Sequence, residues 1–124
     1  SGIDPNGFIP ESERITLTPV RLKRVIDFIE ANLAEPLTLE LLAHVAGLSV
    51  FHFARVFRKA TGHSPYHYVC ERRLLRAQRL LMAHEMAVQD IAPLCGFPRH
   101  ANFSAAFARA RGMSPSRYRA AFAL

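Results

Sequence analysis

Gly47-Leu48-Ser49-Val50-Phe51-His52-Phe53-Ala54-Arg55-Val56-Phe57-Arg58 decides the fold, because its plan returns as Gly96-Phe97-Pro98-Arg99-His100-Ala101-Asn102-Phe103-Ser104-Ala105-Ala106-Phe107. In each copy a glycine and an apolar residue precede two phenylalanines four apart. The correspondence continues downstream, where Gly62, Ser64-Pro65 and Tyr68 recur as Gly112, Ser114-Pro115 and Tyr118. The offset is 49 residues at the glycine and 50 from the first phenylalanine onward, so the second copy has one extra residue in its turn. A short apolar helix, a glycine turn and a second helix with phenylalanines at i and i+4 is the pattern of a helix-turn-helix unit.

Working outward, each copy supplies its own start and stop signals. Leu22, Val25, Ile26, Ile29 and Leu33 form one apolar face of a helix that begins at Pro19 and is stopped by Pro36. Thr38 reads as the N-cap of a short helix ending at Gly47, with Leu42, Val45 and Ala46 buried, and Ser49 caps the next, from Val50 to about Lys59. Ser64-Pro65 is a hydroxyl cap with proline at the first helical position. It opens an unbroken stretch to about His84, a helix of about 28 Å at 1.5 Å per residue. Leu74, Ala77, Leu80 and Leu81 pack along it, while Arg72, Arg76 and Arg79 share a side. A helix near Val88 to Cys95, a turn at Gly96, a helix to about Arg111 and a last one opened by Ser114-Pro115 complete the chain. The expected fold is all-α, about seven helices in two helix-turn-helix subdomains joined by a long linker helix. Residues 1–18 read as a tail or linker, 19–63 as the first subdomain, 64–84 as the linker helix and 85–124 as the second subdomain. The turn-rich start, opening on Ser1 rather than Met, points to a fragment whose missing upstream domain lies before it.

Charge supports a polyanion partner. The net charge of +6 is uneven: residues 1–40 carry seven acids and four bases, and the rest carries twelve bases against Glu71, Glu85 and Asp90. Five arginines and no acid follow Phe97. Basic charge gathered on the repeated region is the footprint of a nucleic-acid binder. No apolar run approaches the roughly 20 residues that span a bilayer. The two cysteines, Cys70 and Cys95, lack the number and spacing of a disulfide framework or zinc site, and read as reduced thiols suited to a cytoplasmic location. No nucleophile with its base, metal set or cofactor loop is recognisable, so neither an enzyme nor a cofactor is expected. His63 and His67 are four apart but straddle a helix start and lack a third ligand.

A helix-turn-helix presents the first turns of its second helix to the major groove. With Phe53 and Phe57 inward, Phe51, Ala54, Arg55 and Arg58 face outward or flank, and His52 is borderline. Arg55 suits guanine O6 and N7, and Phe51 a thymine methyl or the sugar backbone. In the second copy Phe103 and Phe107 point inward, leaving Arg99, His100, Ala101, Asn102, Ala105 and Ala106 outward; Asn102 suits adenine N6 and N7. The base-reading candidates are therefore Phe51, His52, Ala54, Arg55, His100, Ala101, Asn102 and Ala105. The phosphate candidates are Ser49, Arg58, Lys59, Arg72, Arg76, Arg99, Arg109, Arg111, Arg117 and Arg119.

The motifs Gly-Leu-Ser-x-x-x-Phe-x-Arg-x-Phe-Arg with Gly-x-Ser-Pro-x-x-Tyr (47–68), and Gly-Phe-x-x-x-x-x-Phe-x-x-x-Phe with Gly-x-Ser-Pro-x-x-Tyr-Arg (96–119), resemble the DNA-binding domain of AraC/XylS-type bacterial transcription regulators. The resemblance covers about residues 19–122, and the Arg73-Leu74, Ala77 and Leu80-Leu81 run is similar to that family's linker helix. It implies sequence-specific binding of double-stranded DNA, with two recognition helices in successive major grooves. It also implies activation of transcription through RNA polymerase, and an upstream domain that senses a small molecule or mediates dimerisation. The fragment alone, lacking a heptad seam, is expected to be monomeric. Carried over by position, the family's base-reading places fall on Phe51, Ala54, Arg55, Ala101, Asn102 and Ala105. The departures lie in the second unit: Ala105 stands where the family often has arginine, Ala108 where it usually has a base, and Arg99 where it usually has a Ser or Asp cap. Pro93, inside the short helix before Gly96, favours a kink. The alternative reading is a helical protein-interaction module that retains the fold without specific DNA reading.

Overall fold

In a computed structural model, which describes residues 17–122, seven helices follow one another. They are α1 (Pro19–Ala31), α2 (Leu39–Ala46), α3 (Val50–Thr61), α4 (Pro65–Ala83), α5 (Val88–Leu94), α6 (His100–Arg111) and α7 (Pro115–Ala121). No strand occurs among the described residues. Residues 1–16 of the expected tail lie outside them; Leu17 is buried, and the Thr18 hydroxyl accepts from the Arg21 amide at 3.2 Å where α1 begins. The described helices fall into two compact units, one of residues 17–29 and 38–67, the other of residues 30–37 and 68–122. The division lies inside α4, after His67, and the turn following α1 belongs with the second unit.

In the first unit α1 buries Val25 and Ile29, and α2 buries Leu42, Ala43 and Ala46. Val45, expected inside, is half-buried. The Thr38 hydroxyl accepts from the Leu41 amide at 3.1 Å, satisfying one of the amides that a helix start leaves open. Gly47 ends α2 at φ 72°, ψ 30°, a left-handed conformation that costs a residue with a Cβ about 1–2 kcal/mol. The Leu48 amide then returns to the Ala43 carbonyl at 3.0 Å, which closes the helix end. Across this turn the chain bends by 79° into α3. Ser49 caps α3 by accepting from the His52 amide at 3.2 Å, and Phe53 and Phe57 are fully buried with ring centroids 5.4 Å apart.

The second unit is built around Leu74, Ala77 and Leu81 of α4, Ile91 and Ala92 of α5, Cys95, and Phe103 and Phe107 of α6. Phe107 meets Phe103 edge-on at 5.9 Å and Tyr118 of α7 at 5.2 Å, a geometry the ring quadrupoles favour. One feature differs from the sequence expectation and two add to it. First, α1 stops at Ala31 rather than running to Pro36, and Leu33 is buried from the turn beyond it. There the Arg73 guanidinium donates to the Leu33 carbonyl at 3.0 Å and to the Glu35 carbonyl at 2.8 Å, holding the turn. Second, Gly96 is crowded as well as left-handed. At φ +81°, a Cβ on it would lie 2.3 Å from the Leu33 carbonyl oxygen and 2.5 Å from Arg73 Nε. Third, α4 closes at His84, a non-glycine residue at φ 57°. No single described helix is long and apolar enough to cross a membrane.

Candidate nucleic-acid interface

The inward phenylalanines set which side of each second helix faces out. On α3 they leave Phe51, 78 % exposed, together with exposed Arg55, Arg58 and Lys59, while Val50 is at the edge of exposure and Ala54 is half-buried. Phe51 and Arg55 are one turn apart, so they share a face. The tip of this helix is therefore apolar for its first turn and cationic from its second. His52 is a correction: expected as borderline for base reading, it is 7 % exposed. One position before Phe53, it turns with the core side of α3, and its amide rather than its ring is what the Ser49 hydroxyl engages. Ser49 itself is exposed and acts as the cap.

On α6 the outward residues are His100, Ala101, Asn102 and Ala105, all exposed. Ala106 is another correction, since it packs against the core of this unit instead of facing out. Arg99 occupies the N-cap at φ −112°, ψ 127° with no side-chain hydrogen bond to the helix. The start of α6 thus presents open amides beside an exposed guanidinium, where like charge meets the positive end of the helix dipole. His100 Nε2 and Ser104 Oγ lie 3.2 Å apart, and the His100 ring sits edge-on to Phe103. The two tips differ chemically: α3 opens apolar, α6 opens polar and basic.

The phosphate candidates separate into two groups. Arg58, Lys59, Arg99, Arg109 and Arg117 are exposed and Arg76 is half-buried. Arg72, Arg111 and Arg119 instead have partners within the protein. Arg72 Nε donates to Glu30, and that carboxylate raises the guanidinium pKa further. Arg111 donates to Glu71 at 2.7 Å and to Gln78 at 3.0 Å, with its side chain only 17 % exposed. Arg119 donates to the carbonyls of Leu80, Leu81 and Met86 at 3.3, 3.0 and 2.7 Å. It caps the C-terminal end of α4, where positive charge meets the negative pole of the helix.

Arg73 and Gly96 form a further device that residue-by-residue reading passes over. The arginine grips the turn after α1, and the glycine leaves room for both. Burial pushes the Cys95 thiol up to about 11 and raises Cys70 as well, so neither is poised as a thiolate. Both cysteines are free. Stacked His63 and His67 have ring centroids 4.9 Å apart, and no group of three metal-ligating residues occurs among the described residues.

Comparison with known proteins places this arrangement. A family model described as a helix-turn-helix domain matches residues 42–121. The probable transcriptional regulator LumQ of Photobacterium leiognathi is 36 % identical over 100 residues, covering 79 % of this chain and 40 % of that protein. The transcriptional activator RhaR of Klebsiella pneumoniae is 36 % identical over 98 residues, covering 79 % of this chain and 35 % of its own. The chain thus spans about two-fifths or less of the length of these relatives. Among solved structures, the DNA-binding domain of the global transcriptional factor AdpA, in complex with a target DNA, superposes with TM-score 0.78 at 37 % identity, covering 82 % of this chain and 92 % of that one. An AraC-type regulator from Chromobacterium violaceum gives 0.74 at 31 %, with 82 % and 90 % covered. The C-terminal domain of AraT, a response regulator from Geobacillus stearothermophilus, gives 0.81 at 29 %, with 87 % and 89 % covered. These relatives are regulators of transcription rather than enzymes. On the matched helix-turn-helix model, the relatives and the paired all-helical units, the chain belongs to the AraC-type family of transcription regulators.

Proposed function

We propose that this chain binds double-stranded DNA sequence-specifically, as the DNA-reading part of a bacterial transcription regulator, with α3 and α6 each presented to a major groove. The observation that carries this reading is the outward face of α3. Phe51 is 78 % exposed, and Arg55, Arg58 and Lys59 stand out from a helix whose opposite face is fully buried by Phe53 and Phe57. A folded monomer gains nothing from an aromatic ring held in water beside three cations, whereas a base edge flanked by phosphates complements both. Membership of the AraC-type family and a DNA-bound relative at 37 % identity support the same reading. Arg55, Phe51 and Asn102 carry the base reading, with Ala54, Ala101, Ala105 and His100 alongside. Arg58, Lys59, Arg76, Arg99, Arg109 and Arg117 carry the phosphate contacts. As part of a longer regulator the chain acts in the cytoplasm, most naturally as an activator that touches RNA polymerase, with dimerisation left to an upstream domain.

The test is selection of bound sequences from random duplexes by this chain and by Arg55→Ala. A site with two short blocks is expected, and Arg55→Ala weakens one guanine position by about 1–3 kcal/mol while leaving the helical spectrum unchanged. No enrichment, together with binding that ignores salt, would instead mean that the fold serves as a protein-interaction module.

A further inference from the structure

The first turn of α3 carries no side-chain donor or acceptor that is free to read a base edge. Val50 is 37 % exposed and Phe51 78 %, Ala54 is half-buried and the His52 ring is turned inward, while Ser49, whose oxygen caps the helix, lies before this turn. A recognition helix that opens this way can sense only shape and apolar groups until Arg55, one turn later. In the major groove the one apolar group on a base edge is the 5-methyl of thymine. The exposed Arg55, Arg58 and Lys59 on the same helix supply the charge complement that holds this tip against a phosphate-lined groove rather than an apolar protein surface.

We propose that Phe51 reads a pyrimidine 5-methyl group, not a base as such, so that the first unit is specific for thymine and accepts 5-methylcytosine in its place while rejecting unmethylated cytosine. The inference rests on the DNA-binding reading above and narrows it to one contact. Thymine and 5-methylcytosine differ in the exocyclic group at C4, an oxygen acceptor in one and an amino donor in the other. The phenyl ring, with no hydrogen-bonding group, does not distinguish them. Both keep the methyl that the ring covers. Phe51 and Arg55 are four residues apart on one helix face, a rise of about 6 Å, so the methyl contact and the Arg55 contact fall within the same short block.

The experiment uses this chain and the duplex it selects. Each thymine of the block contacted by Arg55 is replaced in turn by deoxyuridine, then the responsive T·A pair by C·G with either cytosine or 5-methylcytosine. At one thymine, uracil weakens binding about three- to fivefold, the worth of one buried methyl. Unmethylated cytosine weakens it at least as much, and 5-methylcytosine restores most of the loss. Phe51→Ala binds thymine and uracil duplexes alike, and because the ring is exposed the variant keeps the wild-type melting curve. An enriched site in which no uracil substitution matters, or in which the uracil effect survives in Phe51→Ala, overturns the methyl reading and leaves DNA binding standing. Failure to enrich any site removes both.

Discussion

At the scale of single residues, two glycines that look alike in the sequence do different work. Gly47 and Gly96 both end the first helix of a repeat with left-handed backbones, φ +72° and +81°. A Cβ on Gly47 meets nothing within 4 Å, so Gly47→Ala costs only the conformational term, about 1–2 kcal/mol. A Cβ on Gly96 would collide with a carbonyl oxygen and a guanidinium that is itself hydrogen-bonded. Gly96→Ala is expected to lose at least about 2 kcal/mol more than Gly47→Ala in urea unfolding, because the Arg73 grip must break. Equal losses would mean that the turn after α1 yields freely. Arg99 runs the other way. Arg99→Ser supplies the missing cap and removes like charge from the helix start, raising stability by about 1 kcal/mol. If the guanidinium holds a phosphate, the same variant binds DNA more weakly; unchanged affinity removes Arg99 from the interface. The cap defect is legible in the sequence, since a guanidinium has no acceptor to offer an amide. The crowding at Gly96 is not, because it depends on Leu33 and Arg73, which only the fold brings beside it.

At the scale of elements, the repeat makes the helices readable and hides what the copies do not share. Caps at Thr38, Ser49, Ser64 and Ser114 all form, each accepting from an amide three residues on. Local signals suffice there, as both partners lie within one turn. Arg111 and Arg119 stand where the first copy has Thr61 and Val69, and their partners are 33 to 40 residues away in the chain. Nothing local separates them from solvated cations, which is why charge alone assigned them to phosphates. His84 shows the need that Arg119 meets: α4 ends on a non-glycine residue at φ 57°, a strained stop that the guanidinium stabilises by bonding the Leu80 and Leu81 carbonyls of the last turn and the Met86 carbonyl beyond it. Replacing Arg119 with methionine keeps the stem and deletes three donors. Thermal unfolding of Arg119→Met is expected to show a loss of about 1.5–3 kcal/mol, the range for hydrogen bonds to a charged group. Its DNA affinity should keep the wild-type salt dependence. A shallower salt slope with normal stability would return this arginine to the phosphate group.

At the scale of the whole molecule, charge is better counted after the internal commitments than before them. The sequence places nine cations among the phosphate candidates, and Arg72, Arg111 and Arg119 spend their donors on the protein's own carboxylates, amide and carbonyls. Arg58, Lys59, Arg76, Arg99, Arg109 and Arg117 remain, and among the described residues none of these is held in an ion pair. Each neutralised phosphate releases condensed counterions and adds about −0.9 to the slope of log affinity against log salt. Six contacts therefore give a slope near −5, where the full nine would give about −8. Titration of the selected duplex between 50 and 300 mM salt separates the two values. Lys59→Ala and Arg109→Ala, one in each unit, should each flatten the line by about one contact, whereas Arg111→Gln should leave its slope alone and appear instead as lost stability. A slope near −8 would mean that DNA pulls the three committed arginines from their partners. The protein would then trade internal hydrogen bonds for phosphates on binding, and the folded free state would be the one held together by them.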